Sequence, residues 1–336
     1  MVQTQETQGV AHADPGMAEE YPVRGRNAGV AFDVDWVHGL EVTPSAVARR
    51  AAQIRRRRQA TAWGVDGLLR VVACTDLTSL SGDETDRAVQ QLCGTARQPI
   101  RADLLETTGS SVSGLRVAAV CVHARFVSTA CNALVGTGIP VAAAAGFPTR
   151  GMPMPPHTEE IRAAVRAGAG EVDAVITRAH VLAGDWLTLY GEVRSFRDAC
   201  GPARLKTILA AGELGPLHNV ARASWVCMMA GADFIKTSTG KEKVNATLSA
   251  GLVMAQAIRQ CHALTGFGVG LKPAGGIRRA AQAIDWLLLV EEELGAAWQS
   301  PARFRVGASA LLADVERQIA RIAQGAHSAG PRRPEA

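Results

Sequence analysis

Eight short, nearly continuous apolar runs punctuate this chain, and stretches with helical spacing separate most of them. The runs are Leu69–Leu77, Val117–Val122, Val141–Phe147, Glu171–Thr177, Arg204–Ala210, Ala232–Ser238, Gly268–Gly275 and Phe304–Ser309. Apolarity sustained over such lengths marks strands buried on both faces, as in a parallel sheet. Between them, Thr158–Ala167 sets Ile161, Ala164 and Val165 on one helical face, and Trp186–Ala199 does so with Leu189, Val193 and Phe196. Strand then helix, eight times over about 240 residues, predicts an α/β chain folded as a (β/α)8 TIM barrel. The rival, a doubly wound open sheet, would call for a Gly-x-Gly-x-x-Gly turn after the first run, and that turn is missing.

Residues 1–45 are polar and aperiodic and read as a flexible extension, with the barrel and a helix before it over 46–324 and a loose tail at 325–336. The net charge of +5 owes much to one cluster, Arg49, Arg50 and Arg55–Arg58. Aromatic side chains for base stacking are absent beside it, and Val47, Ala51 and Ile54 recur at helical intervals. The arginines therefore read as a solvated helix face, not a nucleic-acid or membrane surface. Seven scattered cysteines without a Cys-x-x-Cys pair read as reduced thiols. With neither a signal peptide nor a membrane span in the sequence, a cytoplasmic protein is expected. Alanine-rich helix faces are compatible with a homodimer.

In a barrel of this kind the chemistry sits at the C-terminal ends of the strands. Lys236 and Lys272 lie there, each followed by small residues and glycines. Burial disfavours an ammonium, and a second ammonium nearby lowers its pKa further, which makes an amine nucleophilic near neutral pH. Asp173 lies inside an apolar strand that cannot hold a lone carboxylate, so a lysine must face it across the barrel. Lys206 is a third lysine in a strand run. Three ammonium groups with too few carboxylates point to a neutral lysine or to an anionic substrate. Gly275 and Gly276 after the seventh run, with Gly307 and Ser309 at the eighth, fall where barrels commonly hold a phosphate. His123, His157, His180 and His218 lack metal-ligand spacing and read as structural or surface residues.

Six motifs, in order, carry a family resemblance: Asp76–Thr85 (Asp-Leu-Thr-Ser-Leu-Ser-Gly-Asp-Glu-Thr), Glu171–Ile176, Leu205–Leu214, Phe234–Glu242 (Phe-Ile-Lys-Thr-Ser-Thr-Gly-Lys-Glu), Leu271–Arg278 and Val306–Ser309. From about Val47 to about Gln324 the chain resembles the deoxyribose-phosphate aldolases, in the longer form that includes the animal enzymes. The resemblance implies a class I aldolase, a lyase without metal or other cofactor. It would cleave 2-deoxy-D-ribose 5-phosphate reversibly to D-glyceraldehyde 3-phosphate and acetaldehyde. By the same resemblance Lys236 is the Schiff-base lysine, Lys272 the neighbour that depresses its pKa, and Asp173 the proton-relay carboxylate. Asp76, Thr78, Cys121, Lys206 and Thr239 would serve the substrate; Gly240, Gly275, Gly276, Gly307 and Ser309 would surround the phosphate. Other Schiff-base barrels, and a silent sugar-phosphate-binding barrel, are the rival readings. Two departures stand out: His123-Ala124 replaces the usual aromatic residue and proline, and Ala310 follows Gly-Ala-Ser where a hydroxyl residue is common. The second removes one possible phosphate contact, a loss of about 1–2 kcal/mol.

Overall fold

A computed structural model describes residues 26–39, 41–60, 63–107, 114–147 and 157–328. Its strands are β1 (Thr75–Thr78), β2 (Ala119–His123), β3 (Val141–Ala145), β4 (Glu171–Val175), β5 (Arg204–Ile208), β6 (Phe234–Lys236), β7 (Gly270–Lys272) and β8 (Val306–Ala308). Each pairs in parallel with its sequence neighbour, and β1 also pairs with β8. Parallel bridges Leu271–Phe304 and Ala274–Gly307 join β7 to the β8 segment. The ring closes there, with Leu271 N–H on the Arg303 carbonyl at 2.9 Å and Arg305 N–H on the Leu271 carbonyl at 3.1 Å. The expected (β/α)8 barrel is the fold.

Alternation along each strand separates two apolar compartments. Val120, Val122, Ala143, Ala145, Val172, Leu205, Ile235 and Leu271 point outward and belong to the large core under the helices. The inner compartment is small: Leu80, Cys121, Ala142, Ala144, Phe147 and Ile208. Ala142 and Ala144 are in register with Glu171 and Asp173. Their short side chains leave room in the barrel for longer charged ones on the opposite strands.

The first run differs from expectation. Val65–Ala73 is helical, and the strand begins only at Thr75. Leu68, Leu69, Val71 and Val72 are buried on that helix, and a short apolar helix cannot be told from a strand by periodicity. The expected helices before β5 are present as His157–Arg166 and Trp186–Cys200.

Nor is the described part of the N-terminal extension loose. Asn27 donates from its side chain to the Met228 and Ala232 carbonyls at 2.7 and 2.9 Å, and Trp36 packs on Trp225 with ring centroids 5.4 Å apart. The helix Pro44–Ala60 buries Val47, Ala51 and Ile54 as expected. Part of its arginine face is engaged, because Arg50, Arg57 and Arg58 pair with Glu292, Glu293 and Asp285 on the helix Ala280–Leu294 at 2.7–2.8 Å. At the other end the helix Leu311–Ser328 runs into the expected tail, and residues 329–336 lie outside the described residues. No helix among the described residues is long and apolar enough to cross a membrane.

Candidate active site

The inward faces of β1 and β4–β7, with the residue just before β8, carry a chain of buried charges. At its centre Asp173 binds Lys206 Nζ through Oδ1 at 2.8 Å, and both Lys236 and Lys272 Nζ through Oδ2, at 2.8 and 2.7 Å. Lys272 also reaches Asp76 Oδ2 at 2.5 Å, while Lys206 reaches Glu171 Oε2 at 2.5 Å. Below these, Arg305 bridges Asp76 Oδ1 at 2.5 Å and Glu171 Oε1 at 2.8 Å. The chain thus rises from Arg305, which precedes β8, to Lys236 at the C-terminal end of β6. There the Lys236 ammonium position lies 5.3 Å from the Phe147 ring centroid.

Two glycines make this packing possible. A Cβ on Gly307 would lie 3.3 Å from Lys272 Cε and 2.8 Å from Ala274 Cβ. One on Gly270 would stand 2.2 Å from the Phe234 ring, whose centroid in turn lies 5.5 Å from the Arg305 guanidinium carbon.

The lysines do not share one electrostatic fate. Burial opposes every charge here. For Lys272 and Lys206 the neighbouring carboxylates outweigh it, so both are pushed up from the ordinary lysine value. Lys236 goes the other way: burial lowers it, Asp173 opposes, and the Lys272 ammonium lowers it again. Burial would raise Asp173, but Lys206, Lys236 and Lys272 hold it well below the usual carboxylate range. Asp76 and Glu171 are likewise held down against burial, by Arg305 with Lys272 and by Lys206 with Arg305. Three cations (Lys206, Lys272, Arg305) therefore balance three carboxylates (Asp76, Glu171, Asp173) when Lys236 is the neutral amine. A buried amine that is uncharged at rest is a nucleophile.

The pattern of the DeoC/LacD family aldolases matches residues 70–317. The chain belongs to that family. It is 51% identical over 305 residues to the deoxyribose-phosphate aldolase of Bos taurus, covering 90% of this chain and 96% of that one. The Homo sapiens deoxyribose-phosphate aldolase is 51% identical over 307 residues, with the same coverage. Among solved structures, the tetrameric deoxyribose phosphate aldolase from Aeropyrum pernix superposes with a TM-score of 0.58 at 21% identity, covering 82% of this chain and 99% of that one. This last likeness speaks for the fold alone.

Within this family member the structure brings together some of the expected residues and separates others. Lys236, Lys272 and Asp173 converge. Lys206 and Asp76, expected at the substrate, are fully buried and ion-paired within the charge chain. Cys121 lies on the inner wall, its Sγ 3.9 Å from Asp173 Oδ2, and burial followed by Asp173 pushes its thiol up. Thr78 is half-buried at the end of β1 and donates to the Asp76 carbonyl at 2.9 Å.

The expected phosphate residues also divide. Gly240, Gly275 and Gly276 have φ of 92°, 84° and 79°, the left-handed region that glycine enters freely. A Cβ on Gly240 would lie 3.6 Å from Gly275 Cα, so the loops after β6 and β7 touch. Ser309 is exposed, just before the helix Leu311–Ser328. Gly307 belongs elsewhere: its N–H is bonded to the Pro273 carbonyl at 2.9 Å, and its missing side chain is clearance for Lys272.

Three participants escaped the sequence reading. Arg305 is a charge inside an apolar run, the same signal that marks the lysines, and it alternates with Gly307 and Ser309. Glu171 lies two residues before Asp173 on β4 and so on the same inward face, and nothing along the chain names its partner. Glu242 receives the backbone N–H groups of Thr239, Gly240 and Lys241 at 2.9–3.2 Å, and no periodicity signals such a cap. Among the described residues no group of three or more His, Cys, Asp and Glu side chains is placed to share a metal ion. The barrel acids are committed to ammonium and guanidinium groups instead.

Proposed function

We propose that this chain is a deoxyribose-phosphate aldolase that works through a Schiff base on Lys236. The observation that carries the reading is the shared oxygen: Lys236 and Lys272 both lie within 2.8 Å of Asp173 Oδ2, and only Lys236 has a lowered pKa. The neutral Lys236 amine adds to the C1 aldehyde of 2-deoxyribose 5-phosphate. The Lys272 ammonium gives its proton to the carbinolamine hydroxyl, which leaves as water. One positive charge thereby moves from Lys272 to the iminium nitrogen of Lys236, beside the same carboxylate oxygen. Total charge in the barrel does not change, so the step needs little reorganisation.

Lys272, now neutral, is the base for the C3 hydroxyl. As that proton leaves, the C2–C3 bond breaks and its electron pair passes into the iminium to give an enamine. Glyceraldehyde 3-phosphate departs, and Lys272 is again an ammonium that can protonate C2. Hydrolysis of the resulting iminium releases acetaldehyde, restores the Lys236 amine and returns the proton to Lys272. Asp173 stays ionised throughout and holds both nitrogens. The glycine loops after β6 and β7, with Ser309, receive the phosphate. A substrate of this chemistry belongs to deoxyribonucleotide breakdown.

Borohydride reduction in the presence of acetaldehyde, followed by peptide mass mapping, tests the proposal. A stable adduct on the peptide containing Lys236 is expected. An adduct on another lysine overturns the assignment, and none at all favours a silent barrel.

A further inference from the structure

His123 closes β2 on the same inward face as Cys121. Ala144 is the cross-strand partner of His123 on one side and of Asp173 on the other, so only an alanine methyl separates the imidazole from the reactive carboxylate along the sheet. The ring stands edge-on to Phe147, with centroids 6.3 Å apart and planes at 89°. That is the same Phe147 whose ring lies beside the Lys236 nitrogen. His123 is 7% exposed, and its Nε2 has no hydrogen-bond partner. A buried polar atom left without a partner costs about 1–3 kcal/mol. A phenyl ring would make the Phe147 contact without that cost, so packing does not account for the residue.

The chemistry of the orphan atom is defined. A neutral imidazole carries one lone-pair nitrogen, and in the tautomer protonated at Nδ1 that acceptor is the unpartnered Nε2. Burial, with the positive charges of Arg125 and Lys241, lowers the ring's pKa against the opposing charge of Glu84. On the aldolase reading, the substrate has one donor still without a counterpart. Lys272 serves the C3 hydroxyl and the glycine loops serve the phosphate, while the C4 hydroxyl lies between them.

We propose that His123 is a specificity-determining residue whose Nε2 accepts a hydrogen bond from the C4 hydroxyl of the bound sugar phosphate. In the synthetic direction that hydroxyl is the one next to the carbonyl of the acceptor aldehyde. This inference rests on the aldolase assignment, and its test separates the two.

With acetaldehyde as donor, kcat/KM is measured for D-glyceraldehyde 3-phosphate and for 3-phosphooxypropanal, which lacks the hydroxyl. The wild-type chain is expected to favour the hydroxylated acceptor by about tenfold. His123→Phe should abolish most of that preference, and His123→Gln, which puts an amide oxygen near the Nε2 position, should keep it. Borohydride trapping of acetaldehyde on Lys236 is read in each variant to show a competent amine; if His123→Phe fails to trap, His123→Ala takes its place. A wild-type ratio near one, or an equal ratio in wild type and the trapping-competent apolar variant, overturns the inference while leaving the aldolase assignment intact. Failure of the wild-type chain to trap acetaldehyde overturns the assignment, and with it the inference.

Discussion

Replacing Lys272 and Lys236 by methionine, one at a time, should have opposite consequences for stability, although both lysines touch the same oxygen of Asp173. Lys272 is fully buried, 2.5 Å from Asp76 and 2.7 Å from Asp173. Without it Asp76 loses its ammonium partner, and Asp173 is left to Lys206 and to whatever proton Lys236 takes up against its burial. Breaking a buried pair from one side costs about 3–5 kcal/mol. Lys236 is the lysine that burial pushes down, and the other three cations balance the three carboxylates without it. Its removal costs one hydrogen bond, about 1 kcal/mol, and the buried methionine offsets part of that. The gap of at least about 2 kcal/mol is measurable by urea unfolding near neutral pH as a difference in midpoint at constant m. In thermal scans it should appear as a few degrees, on the order of 3–6 °C. Equal destabilisation by the two substitutions, or a larger effect from Lys236→Met, would refute the neutral-amine argument, because it would mean that Lys236 carries a charge in the folded chain.

Four further outcomes follow from the same geometry. Lys236 is depressed in the fold relative to its ordinary 10.5, so the unfolded chain binds more protons between the two values. Stability from this residue is then poorest at low pH and recovers as pH rises through that window; Lys236→Met should flatten that segment of the stability–pH curve, and an unaltered curve counts against the shift. In Lys272→Met, Asp173 acts on Lys236 unopposed, so acetaldehyde trapping should slow near neutral pH and return at higher pH. Glu242→Ala frees three N–H groups in the loop after β6; the KM for 2-deoxyribose 5-phosphate and the inhibition constant of inorganic phosphate should each fall by about threefold or more, with 2-deoxyribose unaffected. Ala310→Ser should sharpen the preference for the phosphorylated sugar over 2-deoxyribose by about fivefold or more, and an unchanged ratio would remove the hydroxyl from the phosphate site.

Much of this molecule can be read along the chain because its signals are periodic or chemically costly. A parallel strand covered on both faces must be apolar throughout, and six of the eight runs contain their whole strand, while the second stops one residue short of the end of β2. The first run misled because Val65–Ala73, a helix, is as apolar as a strand at that length. Lys206, Lys236, Lys272 and Asp173 are conspicuous for the same reason that they are functional: ionised groups inside apolar runs are tolerated only if something faces them.

What faces them is a matter of three-dimensional closure. Asp76 and Arg305 are 229 residues apart and meet only because β1 and β8 seal the ring. Asp173 reads as a single carboxylate in the sequence and as the hub of three lysines in the barrel, and Gly307 changes from a phosphate ligand to clearance for Lys272. The two reactive lysines look alike along the chain. They differ in how many carboxylates stand within hydrogen-bonding distance, two for Lys272 and one for Lys236, so burial prevails at Lys236 and lowers its pKa while the carboxylates prevail at Lys272 and raise it.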